Sequence, residues 1–113
     1  MKHKKPDRVL SLLGISAKAG QLVSGEFATE NAIKDGKADL VLVAKDASAN
    51  TKKHFSDMCR YRNIRFHEYE TKEQLGHSIG KECRASLAIL DKGLGDAVEK
   101  QLKNELSNDG GSL

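Results

Sequence analysis

The segment SGEFATENAIKDGKADLVLVA, residues 24–44, decides the fold of this chain. Its first part predicts a helix over residues 26–35 that Gly25 opens and Gly36 closes, since glycine is favoured just past a helix end. The apolar run over residues 38–44, which contains several β-branched side chains, follows at once and predicts a buried strand. A helix that passes directly into a buried strand indicates an α/β domain.

The alternation of helix and strand continues along the rest of the 113 residues. The other predicted elements are a helix over 7–19, a strand over 21–25, a loop and helix over 46–63, a strand over 64–69, a helix over 71–80, a strand over 85–91 and a helix over 94–106. They predict one α/β domain with a mixed sheet of about four strands packed between helical layers. The core covers residues 7–106, and the polar segment 107–113 is expected to be a flexible tail.

Local signals predict several helix ends and one helix face. Asp7 is expected to cap the first helix, and Thr71 with Gln74 has the order of a capping box. On the third helix, side chains with helical spacing are expected to face the core, and the last of them would bury only its aliphatic stem. These are Phe55, Met58, Cys59 and Arg62.

Composition excludes several classes of protein. With 38% hydrophobic and 31% charged residues, the chain is expected to be folded and soluble. It has no apolar run as long as a membrane span and no signal-peptide pattern at its start, so a cytoplasmic protein without a membrane partner is expected. Cys59 and Cys83 form no CxxC pattern and are expected to be reduced. The four histidines show no metal-ligand spacing, so no metal is expected.

The chain carries none of the common enzyme motifs. A phosphate-binding P-loop, a GxSxG elbow and an HExxH helix are all missing from the sequence. Asp46, beside Lys45 at the end of a predicted strand, is better placed to cap a loop than to catalyse a reaction. We therefore expect a non-enzymatic protein with no cofactor and no small-molecule substrate.

Charge is distributed unevenly along the chain. The net charge is +3, but residues 1–65 carry 13 Lys or Arg against 7 Asp or Glu, whereas residues 66–113 carry 6 against 9. A basic half is typical of a protein that binds a polyanion such as RNA. It is equally compatible with an ordinary solvated surface.

Two segments in order, SGEFATENAIKDGKADLVLVAKDAS (24–48) and TKEQLGHSIGKECRASLAILD (71–91), resemble a known family. This is the kink-turn RNA-binding ribosomal protein family of the large-subunit seven-Ae and thirty-e type. The likeness is closest to its small bacterial members of the YlxQ type. It extends over about residues 9–100, which is nearly the whole domain.

The resemblance implies a three-layer α-β-α sandwich that binds a sharply bent RNA, the kink-turn, in ribosomal or other non-coding RNA. In the family, RNA meets the start of the glycine-opened helix and the loop before the last strand. Surrounding lysines would add salt-dependent affinity. The RNA-binding residues expected here are Gly25, Glu26, Phe27, Asn31, Lys34, Lys18, Lys37, Lys45, Lys81, Glu82, Cys83 and Arg84.

Three positions of this helix depart from the family pattern, which usually has Asn or Lys, then Glu or Gln, and then Lys or Arg. This chain has Phe27, Ala28 and Asn31 instead. We expect Phe27, Asn31 and Lys34 to face outward, with Phe27 stacking on an unpaired base. The alternative is that the Phe27 ring folds back against the first helix or the entry strand and becomes part of the core.

Three of the expected RNA-binding residues also have a purely structural interpretation. Glu26 can serve as a helix cap only, Arg84 can pair with Glu82 instead of RNA, and Cys83 can be a loop-packing residue. The departures from the family pattern would also suit a protein–protein interaction module of the same fold that has lost part of its grip on RNA.

Overall fold

The computed structural model describes the backbone of residues 7–111 and the side chains of residues 7–105. The elements in chain order are α1 (Arg8–Lys18), β1 (Leu22–Ser24), α2 (Glu26–Lys34), β2 (Leu40–Val43), α3 (Ala49–Tyr61), β3 (Arg65–Glu68), α4 (Lys72–Ser78), β4 (Ser86–Ile89) and α5 (Lys92–Gly111). This is the order of elements predicted from the sequence. Within the described residues, no helix is both long and apolar enough to cross a membrane.

The four strands form one mixed sheet in the order β1-β4-β2-β3. Strand β4 is antiparallel to both of its neighbours, β1 and β2, whereas β2 and β3 are parallel. Helices α2 and α3 contact each other on one face of the sheet, and α1 contacts α4 and α5 on the other. The predicted three-layer α-β-α sandwich is confirmed.

Strand directions define two edges at which loops gather. Ser24 pairs with Leu87, and Val43 pairs with both Ser86 and Glu68. The ends of β1, β2 and β3 therefore lie together with the start of β4, and we call this the upper edge. The opposite edge, where β1, β2 and β3 begin and β4 ends, is the lower edge.

The core lies between the sheet and the two helical layers. Strands β2 and β4 are buried along their whole length because helices cover both of their faces. The helices contribute apolar side chains that are also fully or almost fully buried: Val9, Leu13, Ala32, Ile33, Phe55, Cys59, Leu75, Val98 and Leu102.

The predicted inward face of α3 is correct except for its last member. Phe55 and Cys59 are buried and Met58 packs against the core, but Arg62 is exposed and lies beyond the helix as its C-cap. The helix ends at Tyr61 because Asn63 adopts a left-handed conformation with φ of 58°, which turns the chain toward β3. Arg62 is therefore carried away from the face that continued helical spacing would have given it.

Helix caps follow the sequence signals. The Asp7 carboxylate accepts a hydrogen bond from the Leu10 amide at 3.0 Å, and the Thr71 hydroxyl accepts one from the Gln74 amide at 3.1 Å. Asp46 accepts a hydrogen bond from the Lys72 amide at 2.9 Å, so it caps α4 across the loop. A cap of this kind stabilises a protein by about 1 kcal/mol.

Helix α5 begins two residues earlier than predicted and continues beyond residue 106 to Gly111. Residues 112 and 113 lie outside the described part of the chain, and the flexibility expected of residues 107–113 stays a prediction. A buried hydroxyl ties α5 to the start of α1, because Tyr69 lies 2.9 Å from the Asp7 carboxylate and 3.1 Å from that of Glu105. Burial, and after it the two carboxylates, raise the pKa of Tyr69 above its ordinary value.

Candidate nucleic-acid interface

Gly25 opens α2 at the upper edge with a backbone conformation that favours glycine. Its φ is 95° and its ψ 159°, a region that side-chain-bearing residues rarely adopt. Its N–H donates to the Ser86 carbonyl at 2.9 Å, and its own carbonyl accepts from the Thr29 amide at 3.0 Å. A Cβ at Gly25 would meet no atom within 4 Å, so open space lies beside the first turn of the helix.

The first turn of α2 presents donors toward this open space. Amides at the start of a helix have no acceptor within the helix, and the helix dipole gives this end a partial positive charge. Gly25 is the N-cap, and it has no side chain to accept a hydrogen bond from these amides. Glu26, in the first turn and exposed, has a charge that suits the dipole. The start of α2 thus combines amide donors with one carboxylate acceptor.

Helix α2 divides into an inner and an outer side as predicted. Thr29 and Ile33 are fully buried, whereas Asn31 and Lys34 are exposed. Phe27 is 77% exposed, so the interpretation in which its ring folds back into the core is wrong. A large apolar ring with this exposure contributes little to the core and is available for contact with another molecule.

The inner side of α2 is fixed to β4 by two buried hydroxyl groups. The Ser86 hydroxyl lies 3.4 Å from that of Thr29, and both side chains are completely buried. Together with the bond from Gly25 to the Ser86 carbonyl, this contact holds the start of α2 against the start of β4. Neither hydroxyl was predicted to form this link, although buried polar side chains between apolar neighbours are a usable signal.

Arg84 joins the two segments that the sequence indicated. Its Nε donates to the Ser24 hydroxyl at 3.0 Å, and its Nη1 donates to the Cys83 carbonyl at 2.7 Å. Among the described side chains, Arg84 forms no ion pair with Glu82, so the interpretation as a salt bridge is wrong. A guanidinium has five N–H donors, and these two contacts leave further donors at the upper edge.

Gly76 determines where the loop with Arg84 runs. A Cβ on Gly76 would lie 2.8 Å from the backbone of Cys83, so only glycine lets the loop rest directly on α4. Two backbone bonds hold the loop there, from the Lys81 amide to the Gly76 carbonyl at 2.8 Å and from the Arg84 amide to the Lys72 carbonyl at 3.0 Å. The Leu-Gly pair at residues 75 and 76 therefore has a packing reason that was not evident from the sequence.

Not all of the predicted site residues meet at one place. The upper edge gathers the start of α2, Lys45 after β2, and the loop from Lys81 through Glu82 and Cys83 to Arg84. Lys45 is exposed, and its amide donates to the Glu70 carbonyl at 2.7 Å, which fixes its backbone position.

Three lysines of the predicted site lie away from this surface. Lys34 ends α2, and the nine residues of that helix separate it from Glu26 by about 12 Å along the axis. Lys37 follows at the lower edge, and Lys18 ends α1 shortly before β1 begins there. These lysines do not lie next to Gly25, because a helix that starts at one edge of the sheet ends at the other, and their contact with RNA stays a prediction.

The two cysteines have different surroundings. Both are free thiols, Cys59 buried and Cys83 exposed, so no disulfide joins them. Burial raises the pKa of the Cys59 thiol to about 11. Within the described residues, no group of three or more His, Cys, Asp or Glu could hold a metal ion.

Comparisons with known proteins agree with this architecture. The model of the ribosomal protein L7Ae/L30e/S12e/Gadd45 family matches residues 7–99. A protein of Bacillus subtilis (strain 168) named RNA-binding protein YlxQ is 40% identical over 87 residues, which cover 77% of this chain and 87% of that protein.

Two solved structures are also similar. A Bacillus halodurans protein of unknown function has a TM-score of 0.84 and 32% identity, over 87% of this chain and 99% of that one. The Giardia lamblia 15.5kD RNA binding protein has a TM-score of 0.74 at 20% identity, over 88% and 89%, which supports the fold alone. The chain belongs to the family whose model it matches, and this membership confirms both the family expected from the sequence and its non-enzymatic character.

Proposed function

We propose that this chain is an RNA-binding protein that holds a sharply bent RNA, of the kink-turn type, against the upper edge of its sheet. The observation that carries the proposal is the hydrogen bond from Arg84 to Ser24. It fixes the loop 81–84 beside the glycine-opened start of α2, so the two segments form one continuous surface. The family and the name of the Bacillus subtilis relative support RNA as the ligand.

A bent RNA suits this surface better than a regular duplex. The major groove of an A-form helix is too narrow for side chains, whereas a kink exposes base edges and unpaired bases. Amide donors at the start of α2 and the carboxylate of Glu26 provide both kinds of partner for base edges. A phosphate would be repelled by Glu26, so we place base edges rather than a phosphate at the first turn.

Stacking and charge would supply the remaining affinity. Phe27, 77% exposed beside the helix start, offers a face on which an unpaired base can stack for about 1–3 kcal/mol. Lys45, Lys81 and Arg84 can pair with phosphates, and this part of the affinity falls as salt concentration rises. Base stacking at Phe27 thus replaces part of the hydrogen bonding that polar side chains at this position usually provide in the family.

The test compares two RNAs of equal length by fluorescence anisotropy. One carries tandem G·A pairs beside a bulge, and in the other Watson–Crick pairs replace the G·A pairs and the bulge nucleotides are moved to the end of the strand. We expect tighter binding to the first RNA, with an affinity that decreases as salt is added. Equal affinity for both RNAs would mean that binding depends on electrostatic attraction alone, and it would overturn kink-turn recognition. A chain that retains neither RNA at low salt would instead support the protein-interaction module.

Ribosomal RNA is a natural candidate among structured RNAs, and the cytoplasmic setting stays a prediction. Identification of the RNA that co-purifies with the chain would name the target. A ribosomal fraction without this chain, together with a defined non-ribosomal RNA in the purified complex, would exclude the ribosome as its setting.

A further inference from the structure

A second feature of the molecule lies at the lower edge, away from Gly25. The turn after α2 and the turn after α3 enclose an open cleft of about 420 Å³. The cleft is lined by Ile33 from the last turn of α2, by Ala38 and Asp39 from the α2–β2 connection, and by Arg62, Asn63 and Ile64 from the α3–β3 connection. The volume is within the range of pockets that hold small molecules or one unit of a larger ligand.

An exposed aromatic ring lies next to Arg62, one of the residues that line the cleft. Tyr61, the last residue of α3, is 83% exposed and gains almost nothing from burial in the core. The guanidinium carbon of Arg62 lies 5.3 Å from the centroid of the Tyr61 ring, a cation–π distance. This contact holds the two side chains together and leaves most of the ring surface open.

The cleft is lined by one cation and one acid, Arg62 and Asp39, and two further cations lie at the end of α2 and in the segment between α2 and β2 that contributes to it. Arg62 itself, together with Lys34 and Lys37 from the end of α2, is exposed, and none of the three forms an ion pair with another described residue. Most of the nearby acidic side chains already form an ion pair with a lysine or an arginine. Asp39 binds Arg65, Asp57 binds Arg60 and Lys53, and Asp35 is the remaining exposed carboxylate.

We propose that Tyr61 and this cleft form a second nucleic-acid surface, which binds single-stranded RNA. One base stacks on the Tyr61 ring, and the next nucleotide enters the cleft. The Asn63 amide can hydrogen-bond to a base edge there, and the exposed cations neutralise phosphates. An aromatic platform within a basic groove is the usual construction for single strands, because every base offers a face for stacking.

A protein partner is less well supported by the same residues. The walls of the cleft are mixed in polarity, and three cations that pair with no described residue would have to be matched by acidic side chains in a fixed pattern. A flexible single strand needs only one phosphate near each cation and one base near the ring. The proposal goes beyond the bent-RNA site, because a free single strand would bind here whether or not the upper edge recognises a kink.

The two surfaces are close enough for one RNA to reach both. Helix α2 connects them and is about 12 Å long between Glu26 and Lys34. A single strand that leaves a bent RNA at Gly25 can follow the exposed side of α2 past Asn31 to the lower edge. The protein would then select RNA that combines a kink with an unpaired extension.

The test uses the full chain and an unstructured oligouridine of about eight nucleotides, within the range of single-strand site sizes. Binding is measured by fluorescence anisotropy at low salt for Tyr61→Ala, Tyr61→Phe and Arg62→Gln. We expect Tyr61→Ala to weaken binding about ten-fold, as the loss of one base stack implies. Tyr61→Phe retains the ring and should bind like the unmodified chain. Lys100→Gln, which removes one charge from the opposite helical layer, should also bind normally.

A second comparison separates the two surfaces. A bent RNA with a single-stranded extension should bind Tyr61→Ala more weakly than the unmodified chain, whereas the same RNA without the extension should bind both equally. Loss of single-strand binding in Phe27→Ala but not in Tyr61→Ala would place the strand at the upper edge and overturn the proposal. Unmeasurable binding of the oligouridine by the unmodified chain would overturn it as well. Failure of the kink comparison alone would contradict only the proposed function.

Discussion

The Nε of Arg84 donates a hydrogen bond to the hydroxyl of Ser24 at 3.0 Å, although 60 residues separate them in the chain. Ser24 directly precedes the glycine that opens α2, and Arg84 ends the loop that rests on Gly76. One side chain therefore holds together the two segments on which the proposed RNA site depends. This contact leads to the first of five predictions.

Replacement of Arg84 by Ala should weaken binding of the bent RNA by about 1–3 kcal/mol, the usual effect of losing an arginine contact. Melting temperature should fall only slightly, because a partly exposed hydrogen bond contributes about 1 kcal/mol. Ser24→Ala should also weaken binding, but less, since the guanidinium remains and only its anchor is lost. A double-mutant cycle between the two positions measures their coupling in both properties. Unchanged RNA affinity in Arg84→Ala would give this residue a purely structural role.

Replacement of Phe27 by Ala should weaken binding of the bent RNA by about 1–3 kcal/mol, the value of one base stacked on an aromatic ring. Stability should hardly change, because the side chain is 77% exposed. The matched control is Phe55→Ala, which removes a fully buried ring and should destabilise the fold by about 3–5 kcal/mol. Intact RNA affinity in Phe27→Ala would mean that the ring is not a stacking platform.

Replacement of Gly76 by Ala should disturb the RNA site indirectly, because Gly76 lies beneath the loop 81–84 and is not itself expected to contact RNA. The added Cβ would lie 2.8 Å from the Cys83 backbone, so the loop 81–84 must move away from α4. We expect both a lower melting temperature and weaker RNA binding. Gly20→Ala serves as a control, because its Cβ would meet no atom within 4 Å and its cost is that of a positive φ of 73°. Gly20→Ala should lower stability and leave RNA affinity unchanged. Equal RNA affinity for Gly76→Ala and Gly20→Ala would mean that the loop 81–84 is not part of the RNA site.

Replacement of Lys45 by Gln should reduce both RNA affinity and its salt dependence, because Lys45 lies at the upper edge. The same change at Lys18, at the lower edge, should have a smaller effect on a short bent RNA. The measurement is the slope of the logarithm of affinity against the logarithm of salt concentration for each variant. Identical slopes for the two variants would mean that RNA affinity depends on the net charge of the protein and not on a cation at the upper edge.

Cys83 should react with iodoacetamide much faster than Cys59. Cys83 is exposed, whereas burial excludes reagent from Cys59 and raises the pKa of its thiol to about 11. At pH 8 only about one in a thousand Cys59 side chains is then a thiolate, which is the reactive form. Mass spectrometry of timed samples gives the order of labelling, and bound RNA should slow the labelling of Cys83. Earlier labelling of Cys59 would contradict the packing of α3 against the sheet.

Local sequence signals were sufficient for the elements and for several of their details. Asp7 and Thr71 cap the helices that their positions indicated, and Thr29 and Ile33 face inward as helical spacing predicted. Caps depend on residues three or four apart, and helix faces on a period of 3.6 residues. Interactions of this short range depend only on residues that are close in the sequence, so they can be predicted without knowledge of the fold.

The sequence by itself determined which segments form helices and strands, and it indicated Gly25 and the loop before β4 as a site. Only the tertiary structure decided that Arg84 meets Ser24, that Lys18, Lys34 and Lys37 lie at the opposite edge, and that Arg62, which packs on the Tyr61 ring, lines a cleft. The contact of Arg84 with Ser24 follows from the antiparallel pairing of β4 with β1, and the cleft follows from the parallel pairing of β2 with β3, which brings the two preceding connections together. Pairing of distant strands is set by packing of the whole core rather than by local propensity, so no short stretch of sequence specifies it.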